Sequence, residues 1–291
     1  MNAEVFHHYT ERGTNIMEGI GVEESVSRFI RQHYDLADYT VSLHIVLPTQ
    51  PTPRSMASEV SLRKKMSMLA AIGVRTDVAI HQESSKPDAL VQALDQDNND
   101  QNTIGVIIQL PVPSRLDGIQ SMIDLQRDID GINPSNHIWN TCATAEATLR
   151  LLEAHGRYIR KVGVVGAKGF VGSNIRKGIK ERDLAEVIPV DKHDSHQVLL
   201  QCDTIVSAVG EPGIIQGHTI DEHGAFLGID IGNTRVDGLF RGDFDFDTTD
   251  GLLDFLTPVP GGMGPLEMVI LSERVVQNAI DPSFRVNFVI K

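Results

Sequence analysis

Three groups of residues combine types that do chemistry with spacings that could bring them together. The first is Ser61 and Lys65, four positions apart and therefore on one face of a helix. A lysine drawn partly out of water can protonate or polarise a nitrogen. The second is Gln109, in QLPVP at the end of an apolar run, together with Asp128 and Asp130 in RDIDG. Ligands of open α/β sheets gather at the C-terminal ends of strands, where both of these loops would lie. The third is KVGVVGAKGFVGSNIRKGI, Lys161 to Ile179. There an apolar run meets Gly166, Gly169 and Gly172 and passes into an amphipathic helical pattern. A buried strand turns in this way onto a helix whose first turn meets a phosphate. The match to G-x-G-x-x-G is imperfect, because its first glycine is Ala167 with Gly166 just before it. Asp191, about 20 residues on, could accept hydrogen bonds from a ribose 2′-hydroxyl.

Each group also has a plainer reading. A lysine on a helix is commonly a surface residue, Gln109 could bond only to backbone, and an aspartate before Gly131 is a usual turn former. None of the three carries a function alone.

The elements that would position these residues follow from the patterning. Val22, Val26 and Ile30 share one face of a first helix, after an N-terminal stretch that reads as weakly ordered. TVSLHIVLP, TDVAIH and TIGVIIQLPVP read as strands, the last stopped by Pro111 and Pro113. Between them lie a helix capped by Ser55, with Val60, Leu62, Met66 and Leu69 as its packing side, and a shorter one near Ala89 to Leu94. DQDNNDQN after it reads as a polar turn. The alternation describes a small α/β unit with a largely parallel sheet. A helix from Ala143 to Ala154 follows, and then a nucleotide-binding pattern from Lys161 whose later strands are DTIVSAVG and GAFLGIDIGNT. A proline- and glycine-rich loop feeds a final helix, with Pro265 placed at its start.

The chain has 291 residues, which favours two modest cores over one large one. Its formal charge of -13 argues against a general nucleic-acid binder, since neutralising phosphates needs clustered cations. No window approaches the roughly 18 apolar residues of a spanning helix, and no membrane partner is expected. The N-terminus lacks the layout of a secretory signal. Cys142 and Cys202 are too few for a disulfide scaffold and suit a reducing, cytoplasmic setting. No metal-ligand set is assigned.

QLPVP, RDIDGINP, GFVG, VSAVGEPG, IDIG, GDFDF and TPVPGGMGP occur in that order. The pattern resembles the bifunctional methylenetetrahydrofolate dehydrogenase/cyclohydrolase family, from about Val41 to the C-terminus. The resemblance implies a two-domain α/β fold. Residues 1–148, with the C-terminal helix 266–291, would form a folate-binding catalytic domain, and 149–265 a Rossmann NAD(P)-binding domain with a parallel sheet. The substrate of the family lies in the cleft between the domains. It implies a homodimer that oxidises 5,10-methylenetetrahydrofolate to the methenyl form with NAD or NADP and then hydrolyses it to 10-formyltetrahydrofolate. By the same resemblance Lys65 is the catalytic lysine, Gln109 its partner and Asp130 a folate contact, with Ser61, Pro265 and Glu267 against the substrate. The cofactor would meet Gly166, Ala167, Lys168, Gly169, Phe170, Val171, Gly172, Asp191, Ala208, Val209, Gly210 and Ile231.

Several positions depart from the family. Its tyrosine four residues before the lysine is Ser61, its CTPxG is CATAE ending at Glu146, and its GPMT is GPLE ending at Glu267. The family's arginine-serine pair in the cofactor turn is Ala167-Lys168, and its histidine-serine pair is Asp191-Lys192. A carboxylate there would repel a 2′-phosphate, which favours NAD, while Lys168 and Lys192 leave NADP open. Ser61, Glu146 and Glu267 also admit a divergent dehydrogenase of the same fold acting on another small substrate. A folate- or nucleotide-binding paralogue without catalysis is the third reading.

Overall fold

The computed structural model of the chain describes residues 1–220 and 225–291. Strands β1 (Asn2–Tyr9) and β2 (Asn15–Glu18) precede helix α1 (Ile20–His33). Then come β3 (Thr40–Leu47), α2 (Pro53–Ile72), β4 (Arg75–Gln82), α3 (Asp88–Asn99) and β5 (Thr103–Gln109). After a long loop, α4 (Ala143–His155) leads to β6 (Lys161–Val165), α5 (Phe170–Glu181), β7 (Glu186–Val190), β8 (Thr204–Ser207) and β9 (Leu227–Asp230). The hairpin β10 (Thr234–Val236) and β11 (Leu239–Arg241), the single turn α6 (Phe246–Thr249) and β12 (Phe255–Leu256) precede α7 (Met263–Ala279) and β13 (Asn287–Ile290). Gly224, at the start of the expected GAFLGIDIGNT strand, lies outside the described residues.

The chain divides into two compact units. One comprises Met1–Glu24, Thr144–Glu267 and Val286–Lys291, the other Ser25–Ala143 and Met268–Arg285. The division differs from the expected 1–148 and 149–265 at both chain ends. β1 pairs antiparallel with β2 and parallel with β13, and β2 pairs parallel with β12, so both termini extend the nucleotide-type sheet. The N-terminal stretch expected to be weakly ordered is therefore an eight-residue strand. Its first half pairs with β13 at the other end of the sequence, which no local pattern announces, and its second half pairs with the adjacent β2.

In that unit the strand order is β13-β1-β2-β12-β9-β8-β6-β7. From β6 onward the first five parallel strands stand in the order 2-1-3-4-5, which reverses direction between β6 and β8. Doubly wound sheets bind ligands at such a reversal, which here falls at the C-terminal ends of β6 and β8. Val165, Val190, Ile205 and Leu256 from four of these strands share one buried cluster with Phe244 and Leu253.

The second unit is built on a three-stranded parallel sheet, order β4-β3-β5. Leu90 and Leu94 of α3 pack with Val46, Val106 and Ile108 from the strands and with Ile119, Ile123 and Ile132 from the loop after β5. α3 runs through Asn99, so part of the expected polar turn DQDNNDQN is helical. Leu90 and Leu94, one turn apart, dock it, and Asp97 ties it to β3 by accepting from the Ser42 hydroxyl at 2.8 Å and pairing with His44 at 2.6 Å.

α2 carries the site and begins differently from the sequence expectation. Thr52 is its cap, accepting from the Ser55 amide at 3.0 Å, while the Ser55 hydroxyl accepts from the Thr52 amide at 2.9 Å. This reciprocal box replaces a cap by Ser55 alone. The buried face runs Ser58, Leu62, Lys65, Leu69 and Ile72, in alternating steps of four and three. Met68 belongs to it, whereas Met66 is exposed and Val60 half-buried.

Candidate active site

Lys65 sits in the middle of an apolar stripe and is only 3% exposed. A charge in that position needs partners, because burying an isolated ammonium is prohibitive. It has them at the end of β5 and in the loop beyond. Its Nζ donates to Oε1 of Gln109 at 3.1 Å and to Oδ2 of Asp130 at 3.1 Å. The Gln109 amide nitrogen in turn donates to the Leu110 carbonyl at 3.0 Å, which fixes the oxygen toward the ammonium. Ser58, two buried positions earlier on α2, donates to that same carbonyl at 3.1 Å. The helix is thus tied twice to the strand end.

Asp130 is presented by a loop that folds around Asp128. The fully buried Asp128 carboxylate accepts from the amides of Gly131 and Ile132, both at 3.0 Å, and of Asn133 at 2.8 Å. It also accepts from the Asn136 side chain at 2.9 Å. Burial pushes its carboxyl up, against these bonds. Gly131 has φ +72, and a Cβ there would come within 2.6 Å of the Thr141 carbonyl oxygen. Arg274 of α7 closes the loop from outside, donating to the carbonyls of Ile129 and Thr141 at 2.9 Å each. Asp128 was visible in the sequence as part of RDIDG, and Ala57-Ser58 matches the alanine-serine pair of the family's pattern; Arg274 carried no signal there. Ser61, one turn before Lys65, is half-buried.

In the nucleotide-type unit the glycine turn has the shape its sequence predicts. Gly166 has φ +80, its amide donates to the Val190 carbonyl at 2.9 Å, and a Cβ would meet the Ala208 carbonyl oxygen at 2.8 Å. A Cβ on Gly172 would overlap the Gly166 carbonyl oxygen. Ala167 is buried, Phe170 is exposed, Val171 is half-buried, and Gly169 opens α5 with no side-chain cap. The turn lies beside Ala208 and Val209, at the reversal between β6 and β8. Gly172→Ala is expected to destabilise the protein by about 2 kcal/mol, because backbone must shift to admit the methyl. Thermal unfolding and dinucleotide titration check this, with binding weakened about tenfold.

Asp191 follows the end of β7 and forms an ion pair with Lys168, Nζ to Oδ2 at 2.9 Å. The Lys168 bond and the Lys192 amide hold its carboxyl below the usual range. Ile231 lies just past β9 and donates its amide to the Ser207 carbonyl at 2.9 Å. Pro265 is buried and Glu267 half-buried, both in the first turns of α7, which starts at Met263.

Glu146 does not behave as a pocket residue. It is buried between two arginines, with Arg150 at 2.9 Å and Arg182 bonded to its other oxygen, and Arg182 also holds Glu153 at 2.9 Å. Burial opposes its charge, yet the two guanidiniums bring its carboxyl down to about 2. The expectation that Glu146 reshapes the substrate pocket is therefore corrected. It joins α4 to the end of α5 within one unit.

The sheet order, the glycine turn at its reversal and a buried Lys–Gln–Asp group on a separate α/β unit define a two-domain α/β protein with a Rossmann-like half. Residues 15–130 match the catalytic domain of the tetrahydrofolate dehydrogenase/cyclohydrolase family, and residues 142–282 match its NAD(P)-binding domain. The bifunctional protein FolD of Macrococcus caseolyticus is 31% identical over 228 residues, covering 74% of this chain and 80% of that protein. The FolD of Thermus thermophilus is 29% identical over 279 residues, covering 91% and 96%. Among solved structures, the N5,N10-methylenetetrahydrofolate dehydrogenase-cyclohydrolase of Trypanosoma brucei superposes with a TM-score of 0.79 at 23% identity, over 91% of this chain and 97% of that one. The chain belongs to the tetrahydrofolate dehydrogenase/cyclohydrolase family. Residues 1–14 and 283–291 lie outside both matched stretches, and there the chain adds β1 and β13 to the sheet.

Proposed function

We propose that the protein oxidises 5,10-methylenetetrahydrofolate to the 5,10-methenyl form with NAD(P) and hydrolyses that product to 10-formyltetrahydrofolate, as a cytoplasmic homodimer. The observation that carries this reading is the buried Lys65 held between Gln109 and Asp130. An ammonium so fixed can donate a hydrogen bond to the water or the ring nitrogen at the methenyl bridge and pass a proton there. Gln109 keeps the ammonium aimed, and the Asp130 carboxylate balances its charge and can accept from the pterin. Ser61, Pro265 and Glu267 are proposed to line the substrate.

The residues present fit a dinucleotide. Gly166 and Gly172 leave no room for side chains at the turn, and α5 begins there without a side-chain cap. Gly166 to Gly172 would hold the diphosphate, Ala208 to Gly210 and Ile231 the nicotinamide half, and Asp191 the adenosine ribose. When bound, the dinucleotide supplies the hydride acceptor; the protein's part is alignment of the two rings.

NAD is the favoured cofactor. Lys168 is already paired with Asp191, so the pair offers little net positive charge to a 2′-phosphate. Asp191→Ser is expected to raise the NADP/NAD ratio of kcat/KM about tenfold, by removing the carboxylate and releasing Lys168. Steady-state kinetics with both cofactors check it. The dehydrogenase step itself is tested by following methenyl absorbance with methylenetetrahydrofolate and NAD or NADP. No turnover with either, at enzyme concentrations that reveal slow activity, would remove it.

Glu267, half-buried where the family carries a small hydroxyl, favours a second reading, a dehydrogenase of this fold acting on another small substrate. Thermal protection by NAD but not by a folate analogue would select that reading.

A further inference from the structure

We propose that Asp243 is a positioning residue for the dinucleotide, holding the Val209–Glu211 loop in its binding shape through its carboxylate. The inference rests on the reading of this unit as NAD(P)-binding. Asp243 is fully buried and lies just past β11, more than thirty residues from the loop it holds. Its Oδ2 accepts from the Ser207 hydroxyl at 2.7 Å, the Val209 amide at 2.8 Å and the Gly210 amide at 3.3 Å. Its Oδ1 accepts from the Glu211 amide at 2.8 Å. Three successive backbone N–H groups at the end of β8 therefore turn inward onto one carboxylate. The same loop touches the glycine turn, with the Ala208 carbonyl and the Val209 side chain beside Gly166, and its Gly210 and Glu211 are exposed. Thr234 fixes the loop from a second direction, its hydroxyl donating to the Gly210 carbonyl at 2.7 Å.

The carboxylate is itself anchored. Asp230, at the end of β9, accepts from the amides of Gly232 at 2.9 Å, Asp243 at 3.0 Å and Phe244 at 2.9 Å, and its own amide donates to the Thr257 hydroxyl at 2.8 Å. The ends of β8, β9, β11 and β12 are thus joined through two aspartates. Close approach requires glycine on both sides: a Cβ at Gly232 would overlap the Asp243 carboxylate, and one at Gly242 the Asp230 carboxylate. A carboxylate is an acceptor at every lone pair, which is what four converging donors need. Asparagine keeps the shape but turns an NH2 toward one set of those donors, leaving buried groups in conflict.

The test uses the full-length protein. Asp243→Asn is expected to raise the NAD(P) dissociation constant and the KM for the dinucleotide about tenfold, with kcat and the folate KM within about twofold of wild type. A residue that only stabilises the fold would not separate the two substrates in this way. A folded Asp243→Asn protein that binds the dinucleotide as wild type does overturns the proposal. Wild-type protein that binds neither NAD nor NADP overturns the underlying reading instead. If the variant does not fold, hydrogen exchange of wild-type protein decides. Protection of the Val209–Glu211 amides comparable with that of β8 supports the clasp, and exchange at solvent rates overturns it.

Discussion

Lys65→Met is expected to lower methenyl hydrolysis about a thousandfold while leaving dinucleotide binding unchanged. Methionine has nearly the lysine's length and suits the stripe formed by Leu62, Leu69 and Ile72, so the helix can keep its packing. What disappears is the donor that reaches Gln109 and Asp130. General acid–base assistance typically contributes about 10²- to 10⁴-fold, which sets the size of the loss. The glycine turn and the loop after β8 lie in the other unit, and the substitution leaves their residues unaltered. Decay of methenyltetrahydrofolate measures the loss, and NAD titration measures what is retained. A thermal melt shows whether the Asp130 carboxylate, left without its cation, has weakened the fold at the assay temperature.

Glu146→Gln is expected to cost about 3 kcal/mol, the second largest effect. The substitution removes the negative charge on which Arg182 and Arg150, the latter 5% exposed, both converge. The Val286 carbonyl, which accepts from Arg150 at 2.6 Å, carries no charge to replace the carboxylate. The unfolding midpoint should fall by about 6–10 °C. The acid side of the stability profile gives an independent check. The Glu146 carboxyl titrates at about 2 in the folded protein against an ordinary 4.5. A depressed carboxyl contributes stability that is fully present above pH 4.5 and lost as pH falls toward 2, worth about 3 kcal/mol. The variant lacks that contribution throughout, so its stability should decline less steeply over this range. Chemical unfolding at a series of pH values measures the difference.

Much of the site was legible before the structure because its signals are local. The four-residue spacing of Ser61 and Lys65, the apolar run ending at Gln109 and the three glycines from Gly166 each depend on neighbours in sequence. The apolar stripe of α2 was legible only in part. Met66 and Met68 are chemically alike, and the tertiary contact that chooses Met68 leaves no mark on composition. Thr52 and Ser55 are both good caps, and the reciprocal box needs both. The remaining misses are long-range. The first half of β1 is held by β13 from the far end of the chain and its second half by β2, and its mixed residues do not alternate clearly enough to announce either pairing. Glu146 looked like an altered pocket residue because its motif position suggested one, yet Arg182, just past the end of the next helix, claims it. Asp243 stood in a motif, GDFDF, with no role assigned. A carboxylate that gathers backbone amides from a distant loop has no sequence spacing of its own.

Hydrolysis at Lys65 is measured directly on the methenyl substrate alone. Purified protein is mixed with 5,10-methenyltetrahydrofolate without dinucleotide, and the loss of methenyl absorbance is followed beside a protein-free blank. Decay well above the blank is expected for wild type and decay close to the blank for Lys65→Met. Wild-type decay no faster than the blank, or a Lys65→Met protein as fast as wild type, would contradict it.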